Sequence, residues 1–331
     1  MVGNHAIPPV AEAILKDIGD FDRELAFEAM KASSMFDRDG MGFHDKLGYM
    51  PADKIQQSVA KALEVAIDDW SVAAAAEKLE KKEDAAYFRK RSENFRNYFD
   101  PETGFMRGKL SNGEWTTPFD PAFSKHEGSD YTEGNAWQYL WLVPQNVEGL
   151  IDLLGGKDAF ADKLEHLFRV EEGVKGEEAS ADISGLIGAY AHGNEPGHHT
   201  SFLFNYAGRP WRTQELNREI QTTMYKNSPD GLCGNEDCGQ MSAWYVFSAL
   251  GFYPVNPAEL KYQFGSPLVK EAKIEVAPGK YFTVKAPQAS VNNKYINKLL
   301  LNGKELDRTY ITHQEIMDGG TVEFFMTAEK K

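Results

Sequence analysis

The sequence predicts a mainly α protein, an (α/α)6-barrel type domain incomplete at its N-terminal side, followed by a small C-terminal antiparallel β region. Three observations lead there. Helical patterning fills residues 1–255 and gives way to period-two patterning from Lys261. The helical segments alternate between two kinds, one apolar on most faces and one carrying a single apolar stripe. Three of the apolar segments are entered through glycine-bearing loops that also carry carboxylates.

The apolar segments are PVAEAILKDI, IQQSVAKALEVAIDDWSVAAAA, NAWQYLWLVPQNVEGLIDLL, HHTSFLFNYA and MSAWYVFSAL. The amphipathic ones are FDRELAFEAMKAS, EDAAYFRKRSENFRNYF, AFADKLEHLFRV and TQELNREIQTTMY. A helix apolar all round belongs inside, and one with a stripe belongs outside it. Inner and outer helices taking turns describe a ring of helical hairpins better than an up-and-down bundle. Nine or ten helices are readable where a closed ring of six hairpins needs twelve. The opening MVGNHAIPPV lacks the basic and apolar parts of a signal peptide and reads as the middle of a domain. The first barrel helices are therefore expected to be missing.

From Lys261 the runs KIEVA, YFTVKA, NKLLLNG, RTYIT and TVEFFMTA alternate and are broken by APGK, NGKE and DGGT, as short strands and turns require. The expected division is a barrel portion over 1–255 and a small β-rich region over 256–331 packed on it.

Composition narrows the function. Of 331 residues, 42% are hydrophobic and 26% charged, so a folded core is expected. The net charge of −14, with no clustered Lys/Arg run, excludes nucleic acid and anionic membrane surfaces as natural partners. No apolar run reaches the roughly 18 residues of a membrane span. Cys233 and Cys238, five apart in a glycine-rich loop, have no partnered pair for a zinc site, and a loop disulfide and two free thiols stay equally open.

The chemistry is concentrated in the three loops YTEGN, HGNEPGHH and GLCGNEDCGQ. In a ring of hairpins such loops lie at one rim, so Glu133, Glu195, Glu236 and Asp237 are expected to converge on a pocket there. Glu133 alone also fits a helix N-terminus, where an acid complements exposed N–H groups. Trp137, Tyr139, Trp141, Trp244 and Tyr245 serve either as core or as flat walls for a ligand. Two carboxylates with aromatic walls suit glycoside hydrolysis, and the same oxygens suit a hard cation such as Ca²⁺.

HEGSDYTEGNAWQYLWLVPQ, YAHGNEPGHHTSFLFNYAGRPWRTQ and PDGLCGNEDCGQMSAWYVFSALGFYPV resemble the core motifs of glycoside hydrolase family 92, the calcium-dependent exo-acting α-mannosidases. MVGNHAI, KLGYMPADK, YFDPETGFMRGK and YITHQEIMDGGTVEFFM resemble further segments of that catalytic domain, so the likeness runs over the whole chain. It implies an (α/α)6 barrel with an N-terminal β-sandwich that is absent here. It implies inverting hydrolysis of α-mannosides of the α-1,2-linked, N-glycan type, with Ca²⁺ on vicinal hydroxyls of the terminal mannose. Matched residue by residue, the resemblance puts the general acid on Glu133 and the general base on Asp237, with Glu236 in reserve. It makes Gln138, Trp137, His198 and Asn235 substrate-binding candidates, and Asn194 and Glu195 the calcium neighbourhood. The implied partner is a mannose-containing oligosaccharide or glycoprotein glycan, and the parent protein is expected to be secreted, periplasmic or at the cell surface. Against this stands a non-catalytic carbohydrate- or calcium-binding fragment of such an enzyme.

Overall fold

The computed structural model describes residues 2–126 and 128–330. It is mainly helical with a C-terminal sheet region, as the patterning predicts, and divides into two compact units. One holds Met1–Ala191 with a short turn at Pro257–Glu259, the other His192–Asn256 with Leu260–Lys331. The expected boundary at residue 255 is thus not where the chain divides.

The first unit opens with helices α1 (Ile7–Leu15), α2 (Arg23–Met35), α3 (Met41–Leu47), α4 (Ser58–Lys78) and α5 (Lys82–Ser92). Pro8 and Pro9 start α1, where a missing N–H costs nothing. The Asp22 side chain caps α2 by accepting from Leu25 N. The alanine-rich α4 is buried along most of its length, and Val72, Ala73, Ala75 and Ala76 pack with Ile14, Phe27 and Phe88. Small residues let neighbouring helices close on it, as its all-round apolar pattern anticipates.

Helix α4 also carries three buried acids, each given a partner. Asp69 receives Arg91 Nε at 2.7 Å and Nη2 at 2.6 Å. Despite complete burial, those bonds and His44 hold its carboxyl below the usual range. Glu64 accepts from Val2 N and His5 Nε2, both at 2.8 Å, and Asp68 accepts from Asn4 N at 2.8 Å.

Two short hairpins and three more helices complete the unit. Strands β1 (Phe99–Asp100) and β2 (Phe105–Met106) pair antiparallel, as do β3 (Leu186–Ile187) and β4 (Tyr190–Ala191). The long apolar segment from Asn135 is not one helix. It gives α6 (Ala136–Tyr139), a 3-10 turn and then α7 (Val147–Leu153), because Pro144 removes a donor and Val143 before it leaves the helical region (φ −132°). Helix α8 (Lys157–Leu167) follows.

In the second unit HHTSFLFN is likewise not an α-helix but a 3-10 turn, Thr200–Asn205. Side chains claim its backbone: Thr213 Oγ1 donates to Ser201 O at 2.8 Å. Left-handed Gly208 and Pro210 then stop it. Helices α9 (Pro210–Thr223) and α10 (Gln240–Leu250) form where α-helix is expected. Helix α10 is buried at Met241, Trp244, Ser248 and Ala249, but Val246 is 57% exposed, so its apolar pattern overstates its burial.

The strands are β5 (Phe252–Tyr253), β6 (Lys261–Phe264), β7 (Glu271–Ala277), β8 (Lys280–Lys285), β9 (Tyr295–Leu301), β10 (Lys304–Glu305) and β11 (Tyr310–Thr312). A short helix α11 (His313–Met317) and strand β12 (Gly320–Thr327) end the unit. One sheet runs β10-β9-β12-β8-β7 and the other β11-β6-β5. The larger is mixed rather than antiparallel, since β12 pairs parallel with β8 and antiparallel with β9. The β9–β10 turn is Asn302-Gly303, both left-handed, as a tight hairpin requires.

Phe282, Val284, Val322 and Phe324 form one core with Phe252 and Phe264, and Phe247 and Leu250 of α10 pack on it. Arg218 of α9 donates to Ser266 Oγ at 2.9 Å and Pro267 O at 2.6 Å. These bonds to the segment after β6, with the shared apolar core, join the last helices to the strands, which accounts for the division after Ala191.

Candidate active site

Glu133 lies in the first unit, half-buried, with its backbone in the left-handed region at φ 49°. A side chain with a Cβ pays about 1–2 kcal/mol for that conformation. Glu133 is not the cap of the helix that follows. Asn135 is, accepting from Trp137 N at 3.0 Å in a capping box whose other half is Gln138 Oε1 with Asn135 N at 2.8 Å. Helix α6 has four residues and offers little dipole for an acid to complement.

The turn around Glu133 is braced. Tyr139 Oη donates to Thr132 O at 2.7 Å, and Ser124 Oγ donates to Gly134 O at 3.0 Å. Asn135 Nδ2 donates to Ala122 O at 3.1 Å and Gly173 O at 2.8 Å. A Cβ at Gly134 would meet the Tyr139 ring at 2.9 Å, so only glycine lets the turn lie this close. Burial pushes the Tyr131 and Tyr139 phenols well above their ordinary range, so both stay donors, Tyr131 to Met106 O at 2.7 Å.

Gln138 and Trp137 occupy places that differ from the sugar contact expected of them. Gln138 spends its amide on Asn135 N and, through Nε2, on Ala189 O at 2.8 Å. Trp137 is 6% exposed, edge-on to Phe105 and His166, with Lys163 over its ring. Both are framework in this structure. Upstream of Glu133, Asp130 and Tyr131 line a cavity of about 610 Å³ whose other walls include Phe119, Phe123, Asp120 and Gln56. Flat apolar rings beside hydroxyl-binding oxygens suit a neutral polyol.

The other two loops lie together in the second unit. A Cβ on Gly234 would collide with the Gly193 backbone, so HGNEPGHH and GLCGNEDCGQ meet at paired glycines. His198, 1% exposed, ties one loop to α10: Gln240 Nε2 donates to its Nδ1 at 3.1 Å, and Trp244 Nε1 donates to its carbonyl at 3.0 Å. Its own Nε2 donates to His192 O at 2.9 Å. Both ring nitrogens are thereby engaged by protein, and burial lowers the pKa to about 4, so the ring is neutral. His198 props the loops instead of presenting a nitrogen to a sugar.

Glu236 and Asp237 part company here. Glu236 accepts from Ser242 N at 2.9 Å and Ser242 Oγ at 2.8 Å, tying its carboxylate to the first turn of α10. Asp237, exposed, begins three successive left-handed residues, Asp237 (φ 38°), Cys238 (φ 55°) and Gly239 (φ 85°). Two non-glycine residues held there store backbone strain of the kind that collects at functional sites. Asn235 is exposed in the same loop. Asn194 is 8% exposed and extended, and Glu195 opens the 3-10 turn that follows it. Cys233 and Cys238 are free thiols, and burial pushes Cys233 up.

Asn194 and Glu195 offer amide and carboxylate oxygens in a glycine-containing loop, a donor set that fits a hard divalent cation. Among the described residues no three His, Cys, Asp or Glu side chains cluster as a metal site, so a cation there draws its other oxygens from backbone, water or ligand.

Sequence reasoning did not find Ser124, Tyr139 or Asn135 as the frame of Glu133, nor Gln240 as the partner of His198. Asn135 followed three residues later by Gln138 is a legible capping-box signature. Ser124 has no such signal.

Comparison with known proteins places the chain in the class of glycosyl hydrolases. Residues 1–328 match the model of the glycosyl hydrolase family 92 catalytic domain, and the chain belongs to that family. A family 92 α-mannosidase from Bacteroides thetaiotaomicron, solved with mannoimidazole, is 43% identical with a TM-score of 0.95 over 99% of this chain and 44% of that one. A family 92 inverting mannosidase from the same organism is 37% identical, TM-score 0.88, over 99% of this chain and 46% of that one. An uncharacterized secreted glycosidase of Arthroderma benhamiae is 27% identical over 99% of this chain and 45% of its own length. The chain spans less than half the length of these relatives.

Proposed function

We propose that this chain is catalytic-domain material of an inverting exo-α-mannosidase that removes terminal mannose, α-1,2-linked and of the N-glycan type, from an oligosaccharide or glycoprotein glycan. The observation that carries the reading is Glu133, an acid held in a left-handed turn by hydrogen bonds on both flanking carbonyls while another residue caps the helix. The family membership and the two mannosidases at 43% and 37% identity support it.

In this reading Glu133 donates its proton to the glycosidic oxygen as the C1–O bond breaks. Asp237 takes a proton from water, whose oxygen forms the new bond to C1 from the opposite face, giving inversion. Glu236 holds the helix start below Asp237, which favours Asp237 as the base. Asn194 and Glu195 would hold Ca²⁺, with Asn235 at the sugar. Bound there, the cation would supply positive charge for a sugar's vicinal hydroxyls. The secreted relative supports an exported parent protein. Among the described residues no helix is long and apolar enough to cross a membrane.

The test is release of mannose from α-1,2-mannobiose, followed by NMR for β-mannose as first product, with and without EDTA. Release that ignores EDTA, or α-mannose as first product, defeats the reading. The chain's coverage of under half of each relative favours one second reading, a fragment that binds sugar or Ca²⁺ without turnover. Calorimetric mannose binding with no release at any protein concentration would select it.

A further inference from the structure

Several buried polar groups of the first unit converge on one short turn. Tyr139 is 3% exposed and Ser124 is buried, yet each spends its hydroxyl on a backbone carbonyl beside Glu133. Thr132 O takes one and Gly134 O the other, so the peptide entering Glu133 and the peptide leaving Gly134 are both anchored, one on each side of the turn. Glu133 itself has φ 49°, a conformation the surroundings must impose on a residue with a Cβ. Burial keeps the Tyr139 phenol protonated, with Glu64 adding to the same direction. Ser124 is fixed in turn by Ser124 N donating to Lys175 O at 2.8 Å. Two buried hydroxyls from different segments thus converge on the three-residue turn Thr132–Gly134.

We infer that Tyr139 and Ser124 are positioning residues, which hold the Glu133 turn in its left-handed form and so aim its carboxyl at the leaving oxygen. The inference rests on Glu133 being the general acid. Neither residue touches substrate in this role; each acts through the backbone of the turn. Without the Tyr139 hydroxyl, Thr132 O is buried without that donor and Glu133 relaxes towards an ordinary backbone conformation. The carboxyl then leaves the line of proton transfer, where misplacement of about 1 Å is enough to cost on the order of 100-fold.

The experiment measures kcat and KM of the full chain on α-1,2-mannobiose and on α-mannosyl fluoride, whose leaving group needs no protonation. Tyr139→Phe and Ser124→Ala should each lower kcat on the disaccharide by about tenfold or more. KM should stay within about twofold, and the fluoride should be hydrolysed at an unchanged rate. Ser124→Thr, which keeps the hydroxyl, should restore disaccharide turnover. Glu133→Gln run beside them separates the two failures. If it leaves disaccharide turnover intact, Glu133 is not the acid and the inference falls with that reading. If it discriminates between the substrates while Tyr139→Phe and Ser124→Ala do not, or while they slow both substrates equally, the positioning role alone is overturned. Should Tyr139→Phe fail to fold, Ser124→Ala and Ser124→Thr decide the matter between them.

Discussion

Two of the carboxylates on left-handed backbone, Glu133 and Asp237, are held in opposite ways. Glu133 sits half-buried between carbonyls tied down by buried hydroxyls, with a fully buried asparagine capping the next helix. Asp237 is exposed in a run of three left-handed residues, and the nearest acid, Glu236, is spent on the helix start. One is fixed by satisfied buried polar groups, the other by backbone turn chemistry at the surface. An acid that must deliver a proton along one line benefits from rigidity. A base that activates a mobile water needs exposure as well. The difference teaches that strain alone does not mark a role; what surrounds the strained residue does.

The largest effects should come from the carboxylates themselves. Glu133→Gln should cost about 10²–10⁴-fold in kcat on mannobiose and little on the fluoride, whereas Asp237→Asn should cost both substrates alike, within the range of general acid–base catalysis. Parallel losses for the two variants on both substrates would erase the distinction between the sites.

Next in size is the stability of the two frames. Asn135→Ala strands Gly173 O and Trp137 N, while Ala122 O keeps Lys175 N as donor, and should cost about 3 kcal/mol in urea unfolding. Glu236→Gln weakens an exposed helix-start contact and should cost about 1 kcal/mol or less. Similar values would mean the two loops are braced to the same degree.

A third test uses pH. Burial opposes the charge on His5, but its hydrogen bonds to Asp68 and Glu64 dominate and raise its pKa from 6.5 to about 10. A pKa raised on folding contributes stability that is fully present below pH 6.5 and is lost as pH rises towards 10. The stability difference between the unmodified chain and His5→Gln should therefore shrink over that window. Taking the difference cancels Lys163, which burial lowers to about 8. His192 and His198, lowered by burial, titrate below that window. A difference constant from pH 6.5 to 10 would show that His5 carries no charge worth keeping.

The smallest effect is Cys238→Gly. It relieves a left-handed residue, offset by the looser unfolded chain, for a net gain of about 0.5 kcal/mol. Activity should stay within about twofold.

The sequence by itself determined a good deal. Helical and alternating periodicity located most helices and all the longer strands, because burial of one face leaves that mark on any chain. Motif order placed the family, and YTEGN and GNEDCGQ pointed to the two acids. Tertiary structure decided the rest. Pro144 and Pro210 with Gly208 broke two apolar runs that periodicity alone reads as continuous helices. The division after Ala191 came from Phe252 and Phe264 sharing a core with Phe282 and Phe324, a partnership between distant positions that no local pattern records. Gln138, Trp137 and His198 read as ligand contacts in a row of letters, but their polar atoms and faces are spent on Ala189, Phe105 and Gln240. Ser124 carries no sequence signal because its target is a carbonyl, and every residue has one. Only folding selects which carbonyl it meets.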